Sequence, residues 1–141
     1  MPGLGGASAS QEYYRTAPLQ VGIFYNDTPA PHAVTARATY TVPAGKYANV
    51  EAITLRVDRN AVATTAALAA SRAIYTPSGG SAQDITRAIT YSNTVGGGEQ
   101  VVISPWGMMN PGDTIALYTE DASTTGTLRF ILSAKIAEYN R

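Results

Sequence analysis

The sequence predicts an all-β fold, an antiparallel β-sandwich or barrel of about eight strands behind an extended N-terminal arm. Three observations lead there. From Gln20 onwards apolar and polar residues alternate with a period of two, as half-buried strands require. Turn signals at Pro43-Ala44-Gly45-Lys46, Pro77-Ser78-Gly79-Gly80, Gly96-Gly97-Gly98 and Asn110-Pro111-Gly112-Asp113 cut the chain into short segments. Short strands at such regular spacing suit a sandwich or barrel, and no internal repeat or heptad competes with that reading.

The elements follow in order. Residues 1–11, "MPGLGGASASQ", are small and nearly uncharged and lack the apolar content of a packed element. They belong to an arm over residues 1–15, expected to be held by a neighbour inside an assembly, with residues 16–141 forming one β-sandwich domain. "QVGIFY" is a short strand. In "AVTARATYTV" the alternation places Val34, Ala36, Ala38, Tyr40 and Val42 on one face. "EAITLRVDR" puts Ile53, Leu55 and Val57 on one side and Thr54, Arg56 and Asp58 on the other. Residues 60–73, "NAVATTAALAASRA", are read as loop or short helix: the alanines favour helix, while Thr64-Thr65 and the lack of capping charge oppose it. "RAIYT", "DITRAITYS", "EQVVIS" and "DTIALYT" are further short strands. The last segment turns Leu128, Phe130, Leu132, Ala134 and Ile136 one way, with Ile131 left among the polar residues of the other face.

Composition narrows the function. The chain has no cysteine, and ten basic residues balance ten acidic ones, so neither thiolate chemistry nor a charge footprint for nucleic acid or an anionic membrane is present. No apolar run is long enough to span a bilayer, and the first residues lack the basic and apolar regions of a signal peptide. Eight of the ten basic residues are Arg, and nine Tyr stand against two Phe and one Trp. Tyr suits strands; Tyr and Arg together are also the residues enriched where protein surfaces meet.

Candidate chemistry is sparse. His32 is the one histidine, so any Ser-His-Asp arrangement must use it, yet "PAPHAV" has no nucleophile elbow and suggests an exposed loop position. Gly45-Lys46 is followed by Tyr47, which rules out a phosphate-binding loop motif. Asp113 and Glu120 lie about 23 Å apart along one strand and cannot share a cation. If the strand continues through them, Glu120 and Asp121 point to opposite faces. Asp121 in "EDASTT" would need oxygen donors from another loop to hold calcium, and otherwise serves the turn up to Gly126. No catalytic residue, metal or cofactor is expected.

Two stretches, "YTVPAGKYANVEAITLRV" and "NPGDTIALYTEDASTTGTLRFILSAKI", resemble the small jelly-roll modules of tailed-bacteriophage structural proteins. The likeness rests on Thr41 to Lys46 at a strand end, on Pro111-Gly112-Asp113 leading into an alternating strand, and on Ser123 to Gly126 before the last one. It covers residues 38 to 136. It implies a jelly-roll-like sandwich and, most closely, a capsid decoration or cement protein, a homotrimer on the outer surface of the virion that clamps the major capsid protein. No nucleic-acid or membrane partner is implied. Leu4, Tyr13, Tyr14, Arg15 and the outward Ile131 are the candidate interface residues. Tail adaptors, fibres and receptor- or carbohydrate-binding sandwiches share these turns, and the carbohydrate reading would place Trp106 and Tyr118 in an exposed groove.

Overall fold

The computed structural model describes residues 18–61, 69–90, 96–103, 107–122 and 127–140. They form nine strands: β1 Leu19–Asp27, β2 His32–Thr41, β3 Lys46–Ala61, β4 Ala69–Thr76, β5 Gln83–Thr90, β6 Gly96–Ile103, β7 Gly107–Met109, β8 Thr114–Asp121 and β9 Thr127–Asn140. One sheet has the order β1-β9-β3-β6, with the short β7 also on β3; the other runs β2-β8-β4-β5. All ladders are antiparallel. With β7 set aside, the first long strand pairs with the last, the second with the second-last, the third with the third-last, and the middle two with each other. This nested pairing is a long hairpin rolled into two facing sheets, the jelly roll.

The core lies between the sheets. Leu128, Phe130, Leu132, Ala134 and Ile136 of β9 meet Ile53, Leu55 and Val57 of β3 and Ile115 and Leu117 of β8, all at most 2% exposed. Each large side chain buried there contributes about 1.5–3 kcal/mol by leaving water. Val21, Ile23 and Tyr25 of β1 close one edge against this cluster.

Alternation predicts these faces except where a bulge shifts it. The β3–β9 register slips between Val50 and Ala52, so β3 points Ala48 and Val50 inward before the slip and Ile53, Leu55 and Val57 after it. The β2–β8 register slips between His32 and Thr35 and again between Ala36 and Ala38. Only Ala38, Tyr40 and Val42 therefore belong to the core side, whereas Val34 and Ala36 are exposed, contrary to the single face expected. Two further expectations are corrected. Residues 60–61 end β3 and residues 69–73 lie in β4, because ladder pairing with β9, β5 and β8 overrides alanine's helix preference; residues 62–68 fall outside the described residues. Gly96-Gly97-Gly98 is the start of β6, with Gly97 opposite Asp58 and Gly96 opposite Arg59, and not a turn.

The other three turns form as expected, each with a glycine of positive φ in third place: Gly45 at 76°, Gly79 at 70° and Gly112 at 86°. Lys46 N–H donates to Pro43 O, Gly80 N–H to Pro77 O and Asp113 N–H to Asn110 O. Gly112 also has a steric reason, since a Cβ there would lie 2.8 Å from Ser78 Oγ and 3.1 Å from Ser78 Cβ. Gly45 has open space around the same position. Gly45→Ala is expected to cost about 1–2 kcal/mol, the left-handed backbone alone. Gly112→Ala should cost more, read as a larger drop in urea midpoint; equal losses would show that Ser78 moves aside freely.

Candidate functional site

The outer face of the β1-β9-β3-β6 sheet gathers the residues best suited to contact. Even-numbered residues of β1 point outward, because Val21, Ile23 and Tyr25 face the core. Phe24 is 65% exposed in consequence. It stands in register with Ser133 and Thr54, and in the next row of the same face Asn26, Ile131 and Arg56 lie side by side. Phe24 and Ile131 are thus diagonal neighbours. Charged groups ring them: Arg129 Nη1 donates to Asn26 Oδ1 at 3.1 Å, Arg56 Nε pairs with Asp58 Oδ2 at 2.7 Å, and Lys135 Nζ lies 3.6 Å from Glu51 Oε2. Aromatic residues and Arg are enriched in protein contacts, and a polar, solvent-accessible rim is usual there.

A second cluster sits where β1 and β2 face each other across the two sheets. Arg37 Nε–H donates to Thr119 Oγ1 at 2.9 Å, and its guanidinium lies 5.2 Å from the centre of the Tyr25 ring. His32 Nε2 is 2.7 Å from the same Thr119 oxygen, and Nδ1 is 2.7 Å from Ala30 O. All three contacts are satisfied when Thr119 donates to Nε2 and the Nδ1 proton goes to the carbonyl. His32 is therefore no exposed loop residue: it opens β2, half-buried, with its ring edge-on to Phe130 at 5.8 Å. A hydroxyl beside an imidazole is the pairing nucleophilic catalysis uses, but Thr119 is fully buried and no substrate can reach its oxygen. The cluster closes the sandwich edge instead. Burial pushes the Tyr25 phenol up, and Arg37 opposes that shift.

At the far end, Asp113 joins all three glycine turns. Its carboxylate accepts the Tyr75 hydroxyl at 2.8 Å, Ser78 N–H at 2.8 Å and Asn110 N–H at 2.9 Å. Its carbonyl accepts Val42 N–H, and Gly112 N–H donates to Val42 O, both at 2.9 Å. The strand end at Thr41 to Lys46 and the turn at Pro111 to Asp113 are hence bonded to each other. Burial would raise the Asp113 carboxyl, but the Ser78, Asn110 and Tyr75 donors outweigh it and hold the group below its ordinary value. Burial, followed by the bond to this carboxylate, raises the Tyr75 phenol.

Of the sequence-predicted interface residues, Ile131 lies half-buried on the outer sheet face, while Leu4, Tyr13, Tyr14 and Arg15 lie outside the described residues, as does Trp106. Phe24 escaped the sequence reading, although the inward alternation of Val21, Ile23 and Tyr25 implies its outward position. Tyr118 is half-buried on the outer face of the opposite sheet, in register with Ala36 and Arg72. Asp121 ends β8 on the inner side, 2% exposed, and is a strand residue in place of the turn residue expected; Glu120 faces out and pairs with Arg72 at 3.4 Å. Glu138, which no sequence signal marked, is 6% exposed on the inner side of β9. Burial first, then the Glu138 charge, pushes the Tyr40 phenol up to about 12. Among the described residues no three His, Cys, Asp or Glu side chains cluster as a metal site would.

No protein-family model matches the chain, and no curated protein does. Among solved structures it is similar to the Eiger TNF of S. frugiperda, at 9% identity and a TM-score of 0.44, over 89% of this chain and 93% of that one. It is also similar to VP2 of infectious bursal disease virus in its subviral particle, at 12% identity and a TM-score of 0.41, over 85% of this chain. A structure of the Gx strain of that virus gives 10% identity and 0.42 over 87% of this chain. The chain spans 33% and 32% of those two virus chains. The chain's own ladders make it an all-β jelly-roll sandwich.

Proposed function

We propose that this chain is a structural virion protein that binds the outer surface of a phage capsid as a decoration or cement protein. The outer face around Phe24 and Ile131, with Arg129, Arg56 and Lys135 around it, carries the reading: it is built on paired strands and presents an aromatic and two Arg, residue types enriched at contacts. The turn motifs behind the phage resemblance add to it, since Thr41–Lys46 and Pro111–Asp113 sit together in the fold through the Val42, Gly112 and Asp113 bonds. The mechanism is burial of surface across joints between major capsid protein subunits, by the sandwich face and by the arm of residues 1–15. A protein that binds only the assembled shell stabilises it by mass action, and many copies multiply the effect.

Deleting residues 1–15 is expected to lower occupancy on capsids of the source phage and to reduce their heat resistance, while the sandwich stays folded by circular dichroism. Undiminished occupancy would remove the arm from the mechanism. A cryo-EM map of the particle addresses the reading itself: copies spread over the shell are expected, and copies confined to the tail would make this an adaptor or fibre module.

A further inference from the structure

Among the described residues β1 is an edge strand with little of the usual protection. It keeps unbroken register with β9 over nine successive pairs, Leu19↔Glu138 to Asp27↔Phe130, and contains no proline, lysine or bulge. β2, the edge beside it in the other sheet, has two register breaks and turns Arg37 inward. Bulges and inward charges are how natural sheets keep edges from pairing. Among the described residues β9 is the one ladder partner of β1, and the outward backbone groups of an unpaired edge are a template for another strand.

We propose that β1 pairs antiparallel with β1 of a second copy of this chain, about a two-fold axis at Ile23, so that one sheet runs through both protomers. The strand is complementary to itself in this register. Ile23 faces its own mate, Gly22 faces the second copy's Phe24, Val21 faces Tyr25, and Gln20 faces Asn26. The outward row through Gly22 continues to Lys135 on β9. A bare glycine leaves room for the incoming Phe24 ring, an aromatic–glycine pairing that sheets use, and Lys135 supplies a cation to the ring's negative face. Asp27, the strand's one charged residue, falls opposite Leu19, which puts the two Asp27 side chains at opposite ends of the ladder, roughly 27 Å apart. A centre moved to Gly22 would pair only Leu19 to Tyr25, and one at Phe24 only Val21 to Asp27; both separate Phe24 from the glycine. The contact does not depend on the capsid and is separate from any threefold assembly.

The chain has no cysteine, so single thiols report the register directly. Opposed Cα atoms in an antiparallel pair lie about 4.5–5.5 Å apart, within the span of a disulfide. Under mild oxidation full-length Ile23→Cys is expected to form a covalent dimer. Gln20→Cys should not link to itself, but should link to Asn26→Cys when the two are mixed; both of those positions are exposed, so the pair serves even if Ile23→Cys fails to fold. By sedimentation the unaltered protein should be a dimer whose melting rises with concentration, and Phe24→Lys a folded monomer whose melting does not. A monomer at every concentration, or Gln20→Cys linking to itself as readily as to Asn26→Cys, would overturn the proposal.

Discussion

Replacing Asp113 with Asn is expected to lower stability by about 2–4 kcal/mol at neutral pH and to flatten the acid limb of the stability curve. The carboxylate, 3% exposed, accepts three hydrogen bonds, from Tyr75, Ser78 and Asn110, and bonds to a charged acceptor are worth about 1.5–3 kcal/mol each. Asn keeps one acceptor oxygen and turns an NH2 group towards donors, so part of the set is retained and part becomes repulsive. The pH sign follows from the direction of the shift. The folded group lies below its ordinary value, so its contribution is complete above the unfolded value near 3.9 and disappears as pH falls through the folded one. Urea melts from about pH 7 down to about pH 2 should show the gap between parent and variant closing in acid. Parallel curves would mean that the carboxylate is not what ties the turns together. Tyr75→Phe removes one of the three bonds and should cost about 1.5–3 kcal/mol.

What Asp113 does was only half legible in the sequence. Asn-Pro-Gly-Asp announces its own turn, because proline then glycine suits the central positions and Gly112 takes the positive φ. That Ser78 and Tyr75, 35 and 38 residues away, would complete the carboxylate's shell is a tertiary fact with no local signature. The same division holds elsewhere. The period of two gave the inward set of β9 and the outward place of Ile131, since side-chain direction is local to a strand. It failed in β2, where two bulges shift the phase and bring Arg37 rather than Val34 to the interior edge. Alternation also places Glu138 inward, but its charged type suggests the surface and masks that position. The contact face stayed hidden for a related reason: Phe24 and Ile131 are far apart in the chain and become neighbours only through the β1–β9 ladder.

The two phenylalanines of the chain should respond oppositely to truncation. Phe130→Ala is expected to cost about 3–5 kcal/mol, the range for removing a large aromatic from a core. Phe130 has no exposed surface, lies on β9 between Asp27 of β1 and Val57 of β3, and carries the ring edge-on to His32. Truncation opens a cavity beneath the first residue of β2 and loosens the His32–Thr119–Arg37 closure along with the core. Phe24→Ala removes a ring that is 65% exposed in the single chain and, at concentrations where the chain is monomeric, should change stability by no more than about 0.5 kcal/mol. Denaturant midpoints at constant slope read both values. Because Asp27↔Phe130 fixes the β1–β9 register, sliding that ladder by one residue would exchange the inward and outward sides of β1 and bury Phe24. Comparable losses from the two variants would therefore reject the register itself, and with it both the outward face around Ile131 and the self-complementary edge centred on Ile23.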